Sequence, residues 1–320
     1  MRLDLLPDSV PSSRQHLRGV SWAVVSAMFS ACFMVPWKLA AQHGPASITV
    51  FAMLVSATLC NALLYPLLRR GQGGWDRAGG AGAATASVSR TKGWVIAVAL
   101  AVCTLVGNEF SARSIVEVSG PVLSVLQRTE VVWIAIFSTV VLGERTNGRF
   151  WFGAGLAGAG LWLLYDPVAN PSALHAVGLI LGLFSAIVFS VMAVITRKYI
   201  HEVRPVRLNL QRLLVSLPLC MLAGANVQQV VHADKTQLWF AALAGLCGPV
   251  LSRLCLMQSA RYVPARITAM IVQLAPLFTV ALGFLLFGEL PAPREWGGGA
   301  LMLAGVVLTV VPFGSRPRSM

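Results

Sequence analysis

The sequence predicts an all-α polytopic membrane protein, with ten transmembrane helices arranged as two inverted five-helix repeats. Three observations predict it. Hydrophobic residues make up 56% of the 320 and charged residues only 12%, with a mean hydropathy of +0.72; a soluble domain carries about 25% charged residues. Several runs of about 20 residues pass with hardly a charge, long enough to cross ~30 Å of hydrocarbon as helix. Finally, the stretch Gly120–Leu164 returns, altered, over Ala265–Leu308 at a constant offset of 145 residues. Gly143-Glu144 recurs as Gly288-Glu289, Arg149 as Arg294, Trp151 as Trp296, Gly153 as Gly298 and Gly160 as Gly305. An apolar helix, a Gly-Glu turn and a Gly-rich helix occur twice, which marks an internal duplication.

Residues 1–18 read as a basic tail. Segment one, Gly19–Ala40, carries Leu39-Ala40-Ala41, which resembles a signal cleavage site. Its apolar run is longer than a signal h-region, and Phe29-Ser30-Ala31 recurs as Phe184-Ser185-Ala186, so it is a retained helix. Segment two spans about Ala46–Leu68. The Gly- and Ala-rich loop Arg69–Lys92 follows and accounts for the offset shrinking from 155 to 145 after it. Segments three (Gly93–Arg113), four (Gly120–Leu142) and five (Gly148–Tyr165) complete the first repeat, 19–166. Segments six (Leu174–Thr196), seven (Pro205–Ala223), eight (Thr236–Ala260), nine (Val263–Phe287) and ten (Glu295–Pro312) form the second, 167–313, before a tail at 314–320.

Loop charges set the expected orientation. Eighteen of the 25 lysines and arginines fall in tails and loops on the side of the N-terminus, while only Lys235 and Arg294 fall in loops on the other. Basic residues collect on the cytoplasmic side, so both termini are expected in the cytoplasm, with the chain in a bacterial inner membrane. Five is odd, so the second repeat enters upside down, a construction typical of secondary transporters that bind substrate where the halves meet.

The same charge pattern explains the net charge of +13 without nucleic acid, since the basic residues are scattered among short loops. All six cysteines lie inside apolar segments with no CxxC spacing, and no two histidines stand at ligand spacing; neither metal, disulfide nor cofactor is expected. Ser/His pairs, HExxH and nucleotide loops are absent from the sequence, which argues against an enzyme.

With its Leu142–Glu144 and Phe287–Glu289 turns, its Gln273–Pro276 run and the glycines Gly153, Gly160, Gly298 and Gly305, the chain resembles the drug/metabolite transporter superfamily, in its ten-helix EamA-type branch. The resemblance covers about Gly19–Val311 and implies a transporter of small solutes. One departure stands out: the second copy has Pro276 where the first has Val131, close to Arg128 and Glu130. Glu144 and Glu289 sit before a following helix, where free amides and the helix dipole favour a carboxylate. That is a structural role rather than a proton relay, and the glycines read as close-packing positions.

Polar groups inside apolar segments are costly and mark function. They are Asn108, Glu109 and Arg113 in segment three, Gln127 to Glu130 in segment four, Arg253 and Gln258 in segment eight, and Gln273 in segment nine. The offset maps Asn108 onto Arg253 and Arg128 onto Gln273. Asn108, Glu109, Arg128, Glu130, Arg253 and Gln273 are therefore the expected substrate-binding residues, with Arg128 orienting the substrate and Glu109 or Glu130 handling a coupling proton or a substrate amine. Glu109 and Arg113, at i,i+4, are also placed to pair with each other. Lys38 and Arg212 lie nearer segment ends and are expected to snorkel. Basic groups outnumber acids, and segment one lacks the acidic residue of small multidrug exporters. A carboxylate-bearing or zwitterionic solute such as an amino acid, moved outward by a monomeric secondary transporter, fits better than a cation exporter or a membrane-embedded enzyme.

Overall fold

The computed structural model describes residues 13–70, 90–117, 123, 126–144, 146–165, 176–224, 227–287 and 293–310. Residues 1–12, all of 71–89, the Gly288-Glu289 turn and 311–320 lie outside them. Segments one (Ser13–Gln42), two (Ala46–Arg70), three (Arg90–Glu117), six (Ala176–Tyr199) and eight (Lys235–Ser259) contain helices long and apolar enough to cross a bilayer. Segments five (Gly148–Tyr165), seven (Pro205–Leu222) and ten (Pro293–Val310) are shorter, each 18 residues or about 27 Å at 1.5 Å per residue.

Three segments depart from plain α-helix, and each departure has a local cause. In segment eight, Pro249 has no N–H to give, and the chain passes through a π-helical turn, Leu246–Ser252. Arg253 N–H donates to Gly248 O instead of Pro249 O, so the Pro249 carbonyl is released to accept from Asn209 (3.1 Å) and Arg212 (3.4 Å). Such turns concentrate at functional sites. Segment nine breaks at Gln273-Leu274, between Ala265–Val272 and Ala275–Phe287; Pro276 in the first turn of the second piece is where a helix tolerates proline, and upstream it would clash.

Segment four, expected as one helix, is also broken. Its second piece is Glu130–Leu142, preceded by a turn at Thr129. The hydrogen bonds match those of segment nine residue for residue: Thr129 N to Leu126 O answers Leu274 N to Ile271 O, and Trp133 N to Thr129 O answers Phe278 N to Leu274 O. Here no proline makes the break. The Thr129 hydroxyl satisfies the Leu126 carbonyl at 2.7 Å, and the Ser190 hydroxyl from segment six satisfies the Glu130 carbonyl at 3.1 Å. Irregular backbone survives at membrane depth only when protein or a cavity satisfies it.

The two repeats are inverted. Segments five and ten pack through glycines in a reciprocal pattern. A Cβ on Gly153 would meet Gly305 O at 2.7 Å, and one on Gly160 would meet Gly298 O at 2.5 Å. Gly153 is the repeat equivalent of Gly298, and Gly160 of Gly305, so each contact maps onto the other when the copies are exchanged. Rising number on one helix meets falling number on the other, so the helices are antiparallel. Exchanging two antiparallel helices in contact requires a two-fold axis perpendicular to both, which for helices crossing a bilayer lies in the membrane plane. Segments three with six and one with eight, likewise two with seven, pack as this symmetry demands. Small residues at such interfaces let backbones approach closely, the main source of helix attraction in lipid.

Candidate functional site

Where the halves meet, the structure holds a partly open cavity of about 260 Å³. Both helix breaks and the π-helical turn border it. Five of the six expected residues line it: Asn108, Arg128, Glu130, Arg253 and Gln273. Its apolar walls include Phe33, Met53, Phe189 and Met192.

Asn108 donates Nδ2 to Thr104 O at 2.7 Å, one turn back on its own helix. Arg253, reached just past the π-helical turn, donates Nη2 to Thr196 Oγ1 at 3.1 Å, while its Nε is buried with no hydrogen-bond partner among the described residues. Gln273 donates Nε2 to Arg128 O at 3.4 Å, and its Oε1 is buried without a partner among them. Buried polar atoms are nearly always satisfied, so a donor and an acceptor left open beside a cavity suit a polar ligand. Glu130 opens the second piece of segment four and lies within electrostatic reach of Arg128 and Arg253.

Glu109 does not join them. It points away from the cavity and pairs with Arg113 at 2.8 Å, both side chains well exposed at 40% and 66%. The i,i+4 geometry explains this: one helical turn brings the two side chains together on the outer face. Arg212 is the opposite correction. It was expected to snorkel, yet it is 2% exposed and lines the cavity. It sits seven residues past Pro205, about 10 Å into the helix, too deep to reach water. The same depth argument that singles out Arg128 applies to it. Thr104 and the freed Pro249 carbonyl, which hold Arg212, carry no sequence signal stronger than the proline itself. The side chain of Lys38 lies outside the described residues.

Glu144 also finds different partners from those expected. Gly143 ends segment four in the left-handed conformation (φ 67°), which glycine adopts without strain. Segment five is then capped by Asn147, whose Oδ1 accepts from Phe150 N at 3.0 Å. The Glu144 carboxylate instead bridges Arg197 (3.4 Å) and Arg266 (3.2 Å) of the second repeat. Gly288 and Glu289 lie outside the described residues.

Known proteins agree with this architecture. A crystal structure of another protein superposes with a TM-score of 0.67 at 15% identity, covering 93% of this chain and 96% of that one, a likeness of fold. No curated protein matches. The EamA-like transporter family matches twice, over residues 17–166 and 176–311, once for each repeat that the glycine contacts relate by two-fold symmetry. The chain thus belongs to the EamA-like transporter family and is a membrane transporter of small solutes.

Proposed function

We propose that the protein is a secondary active transporter that exports a small carboxylate-bearing metabolite, an amino acid or a related acid, by alternating access. It would do so from a bacterial inner membrane with both termini in the cytoplasm. The observation that carries the reading is the cavity at the crossing of two broken helices, with Arg128, Arg253 and Gln273 on its wall. Discontinuous helices meeting at the repeat interface are where secondary transporters bind substrate.

Arg128 orients the carboxylate, because a guanidinium presents paired N–H groups that match two carboxylate oxygens. Arg253 Nε and Gln273 Oε1, both open, add one donor and one acceptor, and Asn108 a further amide. Glu130 takes the substrate amine or a coupling proton. A lipophilic cation fits poorly, since three arginines and one glutamate line the cavity.

Purified protein in proteoliposomes should catalyse counterflow of labelled amino acids or small organic acids and not of lipophilic cations. Counterflow of cations alone would overturn the reading.

A further inference from the structure

We infer that the cavity is built for a solute with two acid groups, one held at Arg128 and the second at Arg212 beside Arg253. This rests on the carboxylate reading above and narrows it.

Arg212 is held by neutral groups. Its Nε and Nη2 donate to Asn209 Oδ1 (3.2 and 2.9 Å), Nη2 also to Pro249 O (3.4 Å), and Nη1 to Thr104 Oγ1 (2.7 Å). A guanidinium has five N–H donors, so four are engaged and one on Nη1 is left. None of these acceptors carries a charge. A buried arginine kept for structure is ordinarily neutralised by an acid. Here an amide, a hydroxyl and a carbonyl freed by the π-helical turn fix the guanidinium rigidly and leave its charge uncompensated.

The surroundings deepen that excess. Among the described residues, the charge within reach of Arg212 is another cation, Arg253, and Glu130 acts on both Arg253 and Arg128. All four side chains line the one cavity. Among the described residues that line the cavity, three arginines stand against one glutamate, and membrane burial makes unbalanced charge costly. A monoacid held at Arg128 leaves Arg212 unanswered, whereas a diacid offers it a second carboxylate. Size agrees. At about 260 Å³ and ~30 Å³ per water, the space holds roughly nine water-sized groups, enough for a short-chain dicarboxylate with or without an amine.

Binding to the purified full chain, by calorimetry with two matched pairs, tests this: glutamate against glutamine, and glutarate against butyrate. In wild type the diacid of each pair should bind at least tenfold tighter than its partner. Arg212→Gln should bring the diacid down to its partner's level, weakening the diacid at least tenfold more than the monoacid, and a cooperative thermal unfolding transition shows that the variant is folded. Arg212→Lys, which keeps a cation in place, should retain part of the preference and serves if the glutamine variant does not fold. Equal binding within each pair in wild type, or a tenfold preference that survives Arg212→Gln, overturns the two-acid inference and leaves the carboxylate reading standing. Wild type that binds none of the four probes overturns both.

Discussion

Gln273 donates its side-chain amide to the main-chain oxygen of Arg128 at 3.4 Å, and these two residues are repeat equivalents, 145 positions apart. Equivalent residues of a two-fold pair can touch only beside the axis. The axis therefore passes between the two helix breaks, at the wall of the cavity. Any motion that exchanges the conformations of the two halves must work through this contact, because it is the point the symmetry leaves in place.

Substitutions at Arg128 follow directly. If the residue binds a carboxylate, Arg128→Gln abolishes counterflow whether or not Glu130 is also neutralised, and Arg128→Lys is poor because an ammonium cannot reproduce the paired geometry. If Arg128 serves only to balance an acid, Arg128→Gln combined with Glu130→Gln strands no charge and transports well. Counterflow of the double variant at near wild-type rate would sink the binding role.

The fold was legible because it is written twice. Gly153, Gly160, Gly298 and Gly305 stand out at a fixed spacing, and the structure uses all four as the contact surface between segments five and ten. The break in segment nine could be anticipated from Pro276. The matching break in segment four could not, since Val131 stands in the proline's place and the turn depends on hydroxyls of Thr129 and Ser190, the second from another helix. Arg212 was hidden for a similar reason. It reads as a snorkelling residue near a segment end, and its place on the cavity depends on how segments three, seven and eight pack.

The glycine contacts make a paired prediction. At Gly160 a methyl group would lie 2.5 Å from Gly298 O and 2.7 Å from Met302 N, both backbone atoms that cannot swing aside. Gly160→Ala should therefore destabilise by about 1–3 kcal/mol, as overpacking does. On the same helix nothing lies within 4 Å of Gly158, so Gly158→Ala should be neutral or stabilising by up to ~1 kcal/mol through helix propensity. Thermal unfolding in detergent reads both. Equal shifts for the two would contradict the packing.

Orientation is testable by reporter fusion. With the basic loops in the cytoplasm, fusions after Gln42, Ser172 and Gln229 should report outside, and fusions after Gly79 and Met320 inside. An external C-terminus would require a different topology.

His201, in the turn after segment six, has a pH signature. Desolvation, then the charges of Arg197 and Arg261, push its imidazole down to about 4 from an ordinary 6.5, an effect that solvent reduces because the residue is exposed. A group whose folded value is depressed binds fewer protons in the fold than in the unfolded chain between those limits. Stability then rises with pH across about 4 to 6.5 and is lost on acidification. His201→Gln should lose less of its unfolding temperature than wild type between pH 7 and pH 5. Parallel losses would mean that His201 contributes nothing.

The final prediction concerns Glu144, which joins the first repeat to Arg197 and Arg266 of the second with all three side chains mostly buried, at 13%, 17% and 18% exposure. Arg197 also donates to the Ala260 carbonyl, so its position is fixed from two sides. The repeat counterparts of the two arginines are Gln42 and Pro121, so neither arginine has a charged counterpart in the other repeat. Glu144→Gln removes the one anion and leaves two guanidiniums close together in a poorly hydrated place. Removing one partner of a buried pair costs about 3–5 kcal/mol, and residual solvent access brings the expected loss to about 2–3 kcal/mol. Glu109→Gln makes the same chemical change at the outward-facing pair with Arg113, which joins no second element, and should cost less. Unfolding temperatures of the two variants in the same detergent settle the comparison. If Glu144→Gln is as mild as Glu109→Gln, the triad does not hold the two repeats together.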